Sequence, residues 1–195
     1  MSSHAKQRCS AQEYLELERR AATKSEFFAG EIFAMTGASR DHNLIVANLV
    51  RELTLQLKEK PCETYASDMR VKVNATGLYT YPDLAVVCGP PQFDDEQKDT
   101  LLNPTLIVEV LSISTEAYDR GKKFAHYRKI GSLAEVLLVS QDKPHVDRYV
   151  RQPDNQWLLA EWDGLQSRVL LTSIDCRVDM AEIYDKVELT ADSSE

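Results

Sequence analysis

Two acidic residues stand where the surrounding sequence reads as core. Glu109 lies inside Thr105–Leu111, TLIVEVL, a run that reads as a strand covered on both faces. Asp83 follows Pro82 and opens an equally apolar run, DLAVVC. A buried carboxylate without a partner is costly, so each must be protonated, paired with a base or bound to a cation. Two neighbouring strands of this kind can bring both carboxylates to one end of a sheet. They would then supply the one or two carboxylates that a magnesium ion takes from protein, with water and phosphate completing its shell. The competing reading is structural: Glu109 pairs with a base such as Arg70 and only fixes the sheet, while Asp83 ends a turn.

The segment after Glu109 bears on that choice. From Asp119 to Lys129 there are five bases, Arg120, Lys122, Lys123, Arg128 and Lys129, against one acid. In a chain of net charge −8 this is a concentrated positive stretch. Carboxylates for a metal, followed by ammonium and guanidinium groups for phosphates, are what hydrolysis of a phosphodiester requires. The ordinary alternative for a charge run is a solvated helix face. The acidic total argues against broad nucleic-acid binding, which draws on Lys and Arg neutralising phosphates. That objection weakens where acids gather around an ion, because the ion reverses the local field.

The elements that must position these residues can be read from periodicity. Ser10 to Arg20 reads as a short amphipathic helix, and Phe27 to Thr36 as a hairpin turning at Gly30. Ser39 and Asp41 are N-cap candidates for a helix from Asp41 to about Lys58, whose Ile45, Leu49, Leu53 and Leu57 recur every four residues. Met69 to Val73 alternates as a half-buried strand, with Arg70 and Lys72 on its polar side. Gly89 to Asn103 is a loop whose Asp94, Asp95, Glu96 and Asp99 are solvated. A helix runs from about Thr115 to Ile130, with Phe124, Tyr127 and Ile130 facing the sheet. Ser112, Ser114 or Thr115 caps it, and the two serines read as caps rather than nucleophiles, since no His/Asp pattern accompanies them. Val136 to Ser140 is a further core strand. Val146 to Val150, Gln156 to Trp162 and Arg168 to Leu171 read as antiparallel strands, and Met180 to Val187 as a last helix. Trp157 and Trp162 are expected to cover core. Strands and helices mix without strict alternation, so the expectation is an α/β or α+β domain with a central mixed sheet flanked by helices. One domain spans 1–195, with its core at about 27–140 and extra strands and a short helix over 145–187.

At 43% hydrophobic and 28% charged, the 195-residue chain can bury a core without disulfides. No apolar run is long enough to span a membrane, and Met1 to Ser10 lacks the apolar stretch of a secretion signal. Cys9, Cys62, Cys88 and Cys176 form no CxxC pair and no zinc spacing, and Cys88 reads as a core thiol. These features point to a reducing cytoplasm.

Pro82-Asp83, followed by a strand carrying Glu109-Val110-Leu111, resembles the PD-(D/E)XK nuclease superfamily. The ordered set EFFAGEIFAMTGASRDH (Glu26 to His42), YPDLAVV, LIVEVLSIST, YDRGKKFAHYRKI and EVLLV more closely resembles the Uma-type restriction endonuclease family, over roughly residues 12 to 187. The resemblance implies a restriction-endonuclease-like fold, a site for Mg²⁺ or Mn²⁺, and hydrolysis of DNA. It also implies a role for Glu31, which resembles the family's early acid, as a third ligand beside Asp83 and Glu109. The superfamily places a lysine two residues after the Glu, and that position is Leu111 here. Lys123 is the candidate replacement, because the helix after the strand can return it to the acids. Lys122 points about 100° away and is weaker, and Lys72 is the other possibility. His42, at the mouth of the first long helix, is a candidate contact to phosphate or to a ligand water. Arg120, Lys122 and Lys72 are candidates for holding the substrate.

Two functions follow from this reading. One is a magnesium-dependent endonuclease. The other is a nucleic-acid-binding or scaffold protein that keeps the fold without the chemistry, which Leu111 and the acidic charge favour. A homodimer is the default expectation, since two sites are needed to cut both strands and two-fold symmetry is the commonest arrangement.

Overall fold

The structure is a computed structural model describing residues 9–189. The polar stretch beginning at Met1 therefore falls outside the described residues as far as residue 8. Helix α1 (Ala11–Glu18) is opened by a reciprocal cap between Ser10 and Glu13. The hairpin follows as β1 (Ser25–Phe28) and β2 (Glu31–Ala34), turning through Ala29 and Gly30, both at positive φ. Helix α2 (Arg40–Leu57) starts at Ser39, whose hydroxyl accepts from His42 N at 3.1 Å.

Strands β3 (Cys62–Ala66), β4 (Arg70–Val73), β5 (Leu78–Thr80) and β6 (Leu84–Cys88) come next. A two-residue β7 (Thr100–Leu101) and the central β8 (Leu106–Leu111) complete the first half. The predicted helix over 115–130 is broken into three pieces. These are α3 (Glu116–Tyr118), a π-helical turn (Asp119–Lys123) and α4 (Phe124–Tyr127). Then come β9 (Glu135–Ser140), β10 (His145–Arg151), β11 (Trp157–Asp163), β12 (Arg168–Leu171), β13 (Cys176–Asp179) and α5 (Met180–Ile183). Strands β3, β5, β7 and β13 are additions to the sequence reading. Each is short or lacks a run of alternating residues, and pairing rather than local pattern makes it a strand.

The central sheet has the order β11-β10-β9-β8-β6-β3. Only β8 and β9 run parallel within it, and the segment α3–α4 is the crossover that this pairing needs. A second sheet, β2-β1-β5-β4-β7, covers part of one face, and β12–β13 form a separate hairpin. Strand β8 separates two cores. Its even residues, Leu106, Val108 and Val110, pack with Ile45, Leu49 and Leu53 of α2. Its odd residues, Ile107 and Leu111, pack with Phe124, Tyr127 and the second sheet. Glu109 belongs to the second set by strand alternation.

Two side-chain expectations fail here. Arg70, placed on a polar strand face, is buried. It donates to Tyr81 Oη at 2.8 Å and Thr100 Oγ1 at 2.9 Å and pairs with Asp99 at 3.0 Å. It is therefore not the partner of Glu109. Cys62 and Cys88, opposite each other on β3 and β6, form a disulfide. Their separation of 26 residues hid a pair that strand register brings together, and the argument from scattered thiols to a reducing compartment falls with it. No helix among the described residues is long and apolar enough to cross a membrane.

Candidate active site

Strands β6 and β8 are antiparallel neighbours, with Leu84 opposite Val108. One step further along that ladder, Asp83 meets the stretch around Glu109. Its Oδ2 accepts the backbone N–H of Val110 at 2.7 Å. Its Oδ1 lies 2.9 Å from Nε2 of His42, in the first turn of α2. Asp83 is thereby oriented by two different elements.

Glu109 is 4% exposed and Lys123, on the π-turn above it, is 5% exposed. The Lys123 ammonium lies 2.9 Å from Glu109 Oε1, 3.5 Å from Asp119 and 3.6 Å from Glu26. Tyr127 Oη donates to the same Glu109 oxygen at 2.5 Å, so neither contact uses Oε2. Glu26 arrives from β1 of the second sheet. It accepts from Thr80 Oγ1 and, at 3.1 Å, from Tyr118 Oη. Three carboxylates, Glu26, Glu109 and Asp119, thus surround a single ammonium, with Asp83 held next to Glu109 on the backbone N–H of Val110.

The electrostatics follow from that imbalance. Burial pushes the Glu109 carboxyl up to about 8, and the charges of Asp119 and Asp83 add to the effect against Lys123 and Tyr127. Burial also raises Asp119. For Lys123 burial works against the charged form, but Glu109, Tyr127, Asp119 and Glu26 outweigh it and hold the ammonium well above its usual range. The lysine stays charged, and the excess negative charge is relieved by a proton on the acids. A hard divalent cation suits this donor set, because it could take that proton's place with carboxylate oxygens at the sheet's end. Asp83 and Glu109 are the residues that could hold it, with His42 orienting Asp83.

A second group of possible ligands lies two and three strands away from β8, on β10 and β11. Among the described residues, donor atoms of His145, Asp147 and Glu161 lie within 4.8 Å of one another. Asp147 is in register with Leu138, which in turn faces Glu109, so both acids share one lateral row of the sheet. Asp147 is already engaged by Arg120 and, at 3.2 Å, by His145, whose other ring nitrogen meets Asp163 at 2.7 Å. Compactness alone favours this trio. The cluster around Lys123 is more deeply buried and less neutralised, and therefore has the stronger demand for a cation.

Residues 11–179 match the family described as "Putative restriction endonuclease" (Uma2). The chain belongs to this family. Two uncharacterized proteins of Synechocystis are similar to it. One is 41% identical over 159 residues, covering 82% of this chain and 90% of its own. The other is 38% identical over 175 residues, covering 90% of each. Among solved structures, a "putative nuclease belonging to DUF820" from Anabaena variabilis shares the fold, with a TM-score of 0.73 at 19% identity over 89% of this chain and 96% of that one.

Within this Uma2 chain the residues singled out by sequence fall into two sets. Asp83, Glu109, Lys123 and His42 converge, and Lys122 is exposed on the outer side of the π-turn. Arg120 and Lys72 are engaged elsewhere. Glu31 stands on edge strand β2 opposite Phe28, and the hairpin acid that reaches Lys123 is Glu26. Arg120 is turned onto Glu116 at 2.7 Å and onto the buried Asp147, so it neutralises protein rather than phosphate. Lys72 pairs with Asp94 at 2.6 Å beneath Tyr79. It lines a cavity of about 220 Å³ that none of the four clustered acids touches. The loop acids are likewise engaged, with Arg19 holding Asp95 and Asp99. Sequence reasoning missed Glu26, Asp119, Tyr118 and Tyr127. For Asp119 a signal was there, as the one acid of a basic segment, four residues before Lys123.

Proposed function

We propose that this protein is a metal-dependent deoxyribonuclease that hydrolyses phosphodiester bonds with Mg²⁺ or Mn²⁺ at the Asp83–Glu109–Lys123 cluster. The observation that carries the reading is the excess of buried acids around one ammonium at the end of strands β6 and β8, in a member of a restriction-endonuclease family. Asp83 and Glu109 would hold the ion, which supplies charge neutralisation on the scissile phosphate and an acidified water. His42 fixes the orientation of Asp83. Tyr127 fixes Glu109 through Oε1. Lys123, kept protonated by Asp119 and Glu26, offers its ammonium to the charge that develops on the phosphoryl oxygens. Lys122 can meet phosphate from the exposed side.

A second reading, a binding or scaffold protein, is favoured by the pairing of Arg120 and Lys72 with acids of the chain itself. Plasmid cleavage with Mg²⁺ or Mn²⁺ separates the two. Nicking or linearisation by the wild type should vanish with chelator and in Glu109→Ala. It should fall about 100- to 1000-fold in Lys123→Ala, the loss typical of removing one group that stabilises transition-state charge. Cleavage that survives Glu109→Ala would defeat the nuclease reading, as would its absence with either metal.

A further inference from the structure

Three large apolar side chains stand in water beside the acid cluster. Phe33 is 47% exposed, Ile113 88% and Tyr118 37%. Each belongs to a segment that supplies one of the clustered acids. Phe33 is the register partner of Glu26 across the β1–β2 hairpin, and partners in an antiparallel pair project from the same face. Ile113 lies in the turn between β8, which carries Glu109, and α3. Tyr118 precedes Asp119, and its hydroxyl is bonded to Glu26 at 3.1 Å. Three of the segments that supply the clustered acids thus also carry an exposed apolar side chain.

Of the cations on the π-turn, only Lys122 is exposed. Lys123 is buried among Glu109, Asp119 and Glu26, and Arg120 is held by Glu116 and Asp147. The chain carries a net charge of −8. Duplex DNA is gripped chiefly through many phosphate contacts by Lys and Arg. Single strands can also be held by stacking bases on aromatic side chains, which needs few cations. Inside a duplex both faces of a base are already stacked, so only an unpaired base has a face to offer. Resting on the nuclease reading above, we propose that the substrate is nucleic acid whose bases are unpaired beside the scissile bond, with Phe33 and Tyr118 as the stacking surface and Ile113 packing alongside. A second copy of the chain is the less suitable occupant. Seated on Phe33 and Tyr118, it would close over Glu26 and Lys123 and seal the site.

The test compares a single-stranded oligonucleotide, the same sequence as a fully paired duplex, and a duplex with a central bulge. Cleavage is measured with Mn²⁺ and binding by fluorescence anisotropy over a range of salt. The proteins are wild type, Phe33→Ala and Phe33→Trp, with light scattering for oligomeric state. Phe33 is exposed on an edge strand, so both variants should fold, and a thermal melt checks that they do. The single-stranded and bulged substrates should be cut faster than the paired duplex. Phe33→Ala should raise KM on them about 5- to 100-fold with kcat little changed, the range expected for losing one stacked base. Phe33→Trp should restore it. A paired duplex cut as well as the single strand, or an unchanged KM in Phe33→Ala, would overturn the stacking proposal and leave the nuclease reading standing. If no substrate is cut, the nuclease reading fails. In that case single-strand binding weakened by Phe33→Ala still supports the surface, and equal or absent binding overturns it. A dimer that falls apart in Phe33→Ala would assign the patch to a second copy and overturn the proposal.

Discussion

At the scale of single residues the decisive contact is Glu109 with Lys123, and its two halves are not equivalent. Lys123 serves three carboxylates, while Glu109 is one of three acids sharing one ammonium. Glu109→Gln leaves Lys123 with Asp119 and Glu26 and removes an acid whose charged form burial already disfavours. Its metal-free stability by urea unfolding should stay within about 1 kcal/mol of wild type. Lys123→Met leaves buried acids with no cation and should cost about 3–5 kcal/mol, the usual penalty for breaking a buried pair from one side. That loss should grow as pH rises and more of the acids ionise. A Glu109→Gln protein destabilised more than Lys123→Met would mean that the cluster is a plain ion pair with no excess of acid. Added Mg²⁺ or Mn²⁺ should raise the melting temperature of wild type and not of Glu109→Gln, because only the former keeps the charge the ion needs.

At the scale of elements, the segment from α3 to α4 is tied to the central sheet by two acid–base contacts in one lateral row, Lys123 on Glu109 and Arg120 on Asp147. A π-turn is rare and occurs mostly as a single turn within a helix, so contacts to the sheet are expected to help hold it. Arg120→Gln should therefore act on stability, costing about 1–3 kcal/mol, since Arg120 is partly exposed and His145 still contacts Asp147. Because Arg120 faces protein, the substitution should leave the salt dependence of nucleic-acid binding unchanged. A shallower salt slope in Arg120→Gln would restore it as a phosphate contact. The loop before β8 is pinned differently, by Arg19 on Asp99. Arg19's hydrogen bonds, with Arg70 adding its charge against the opposing effect of burial, hold the Asp99 carboxyl down to about 2 from its ordinary 3.8. A depressed carboxyl contributes stability that is present above the unfolded value and lost as pH falls through the folded one. Acid unfolding should accordingly show a loss between about pH 4 and 2 that is smaller in Asp99→Asn, and equal curves for the two proteins would remove this contact from the account.

At the scale of the whole molecule, the Cys62–Cys88 bridge closes a loop between an edge strand and the strand that leads out of Asp83. Constraining a loop of 26 residues stabilises by about 3.5 kcal/mol on the chain-entropy argument. Cys88→Ser, or reductant with wild type, should lower stability by up to that amount. Unfolding curves that do not respond to reductant would show that the bridge contributes nothing in solution. The bridge lies at the Cys88 end of β6 and Asp83 just before the other end, so metal binding should survive the substitution.

What could be read from sequence was whatever is set by local pattern. Helix α2 follows from a four-residue apolar repeat, β8 from an apolar run interrupted by Glu109, and the suspicion attached to Asp83 and Glu109 from the cost of burying a charge. Those signals depend only on neighbours along the chain. Which lysine meets Glu109, that Glu26 comes across from the second sheet, that Arg120 turns inward to Asp147, and that Cys62 faces Cys88 were decided by tertiary structure. Each depends on strand register and on which sheet covers which face. A shift of one residue in register exchanges inside for outside, and no local pattern in a four-residue strand such as SEFF holds that information.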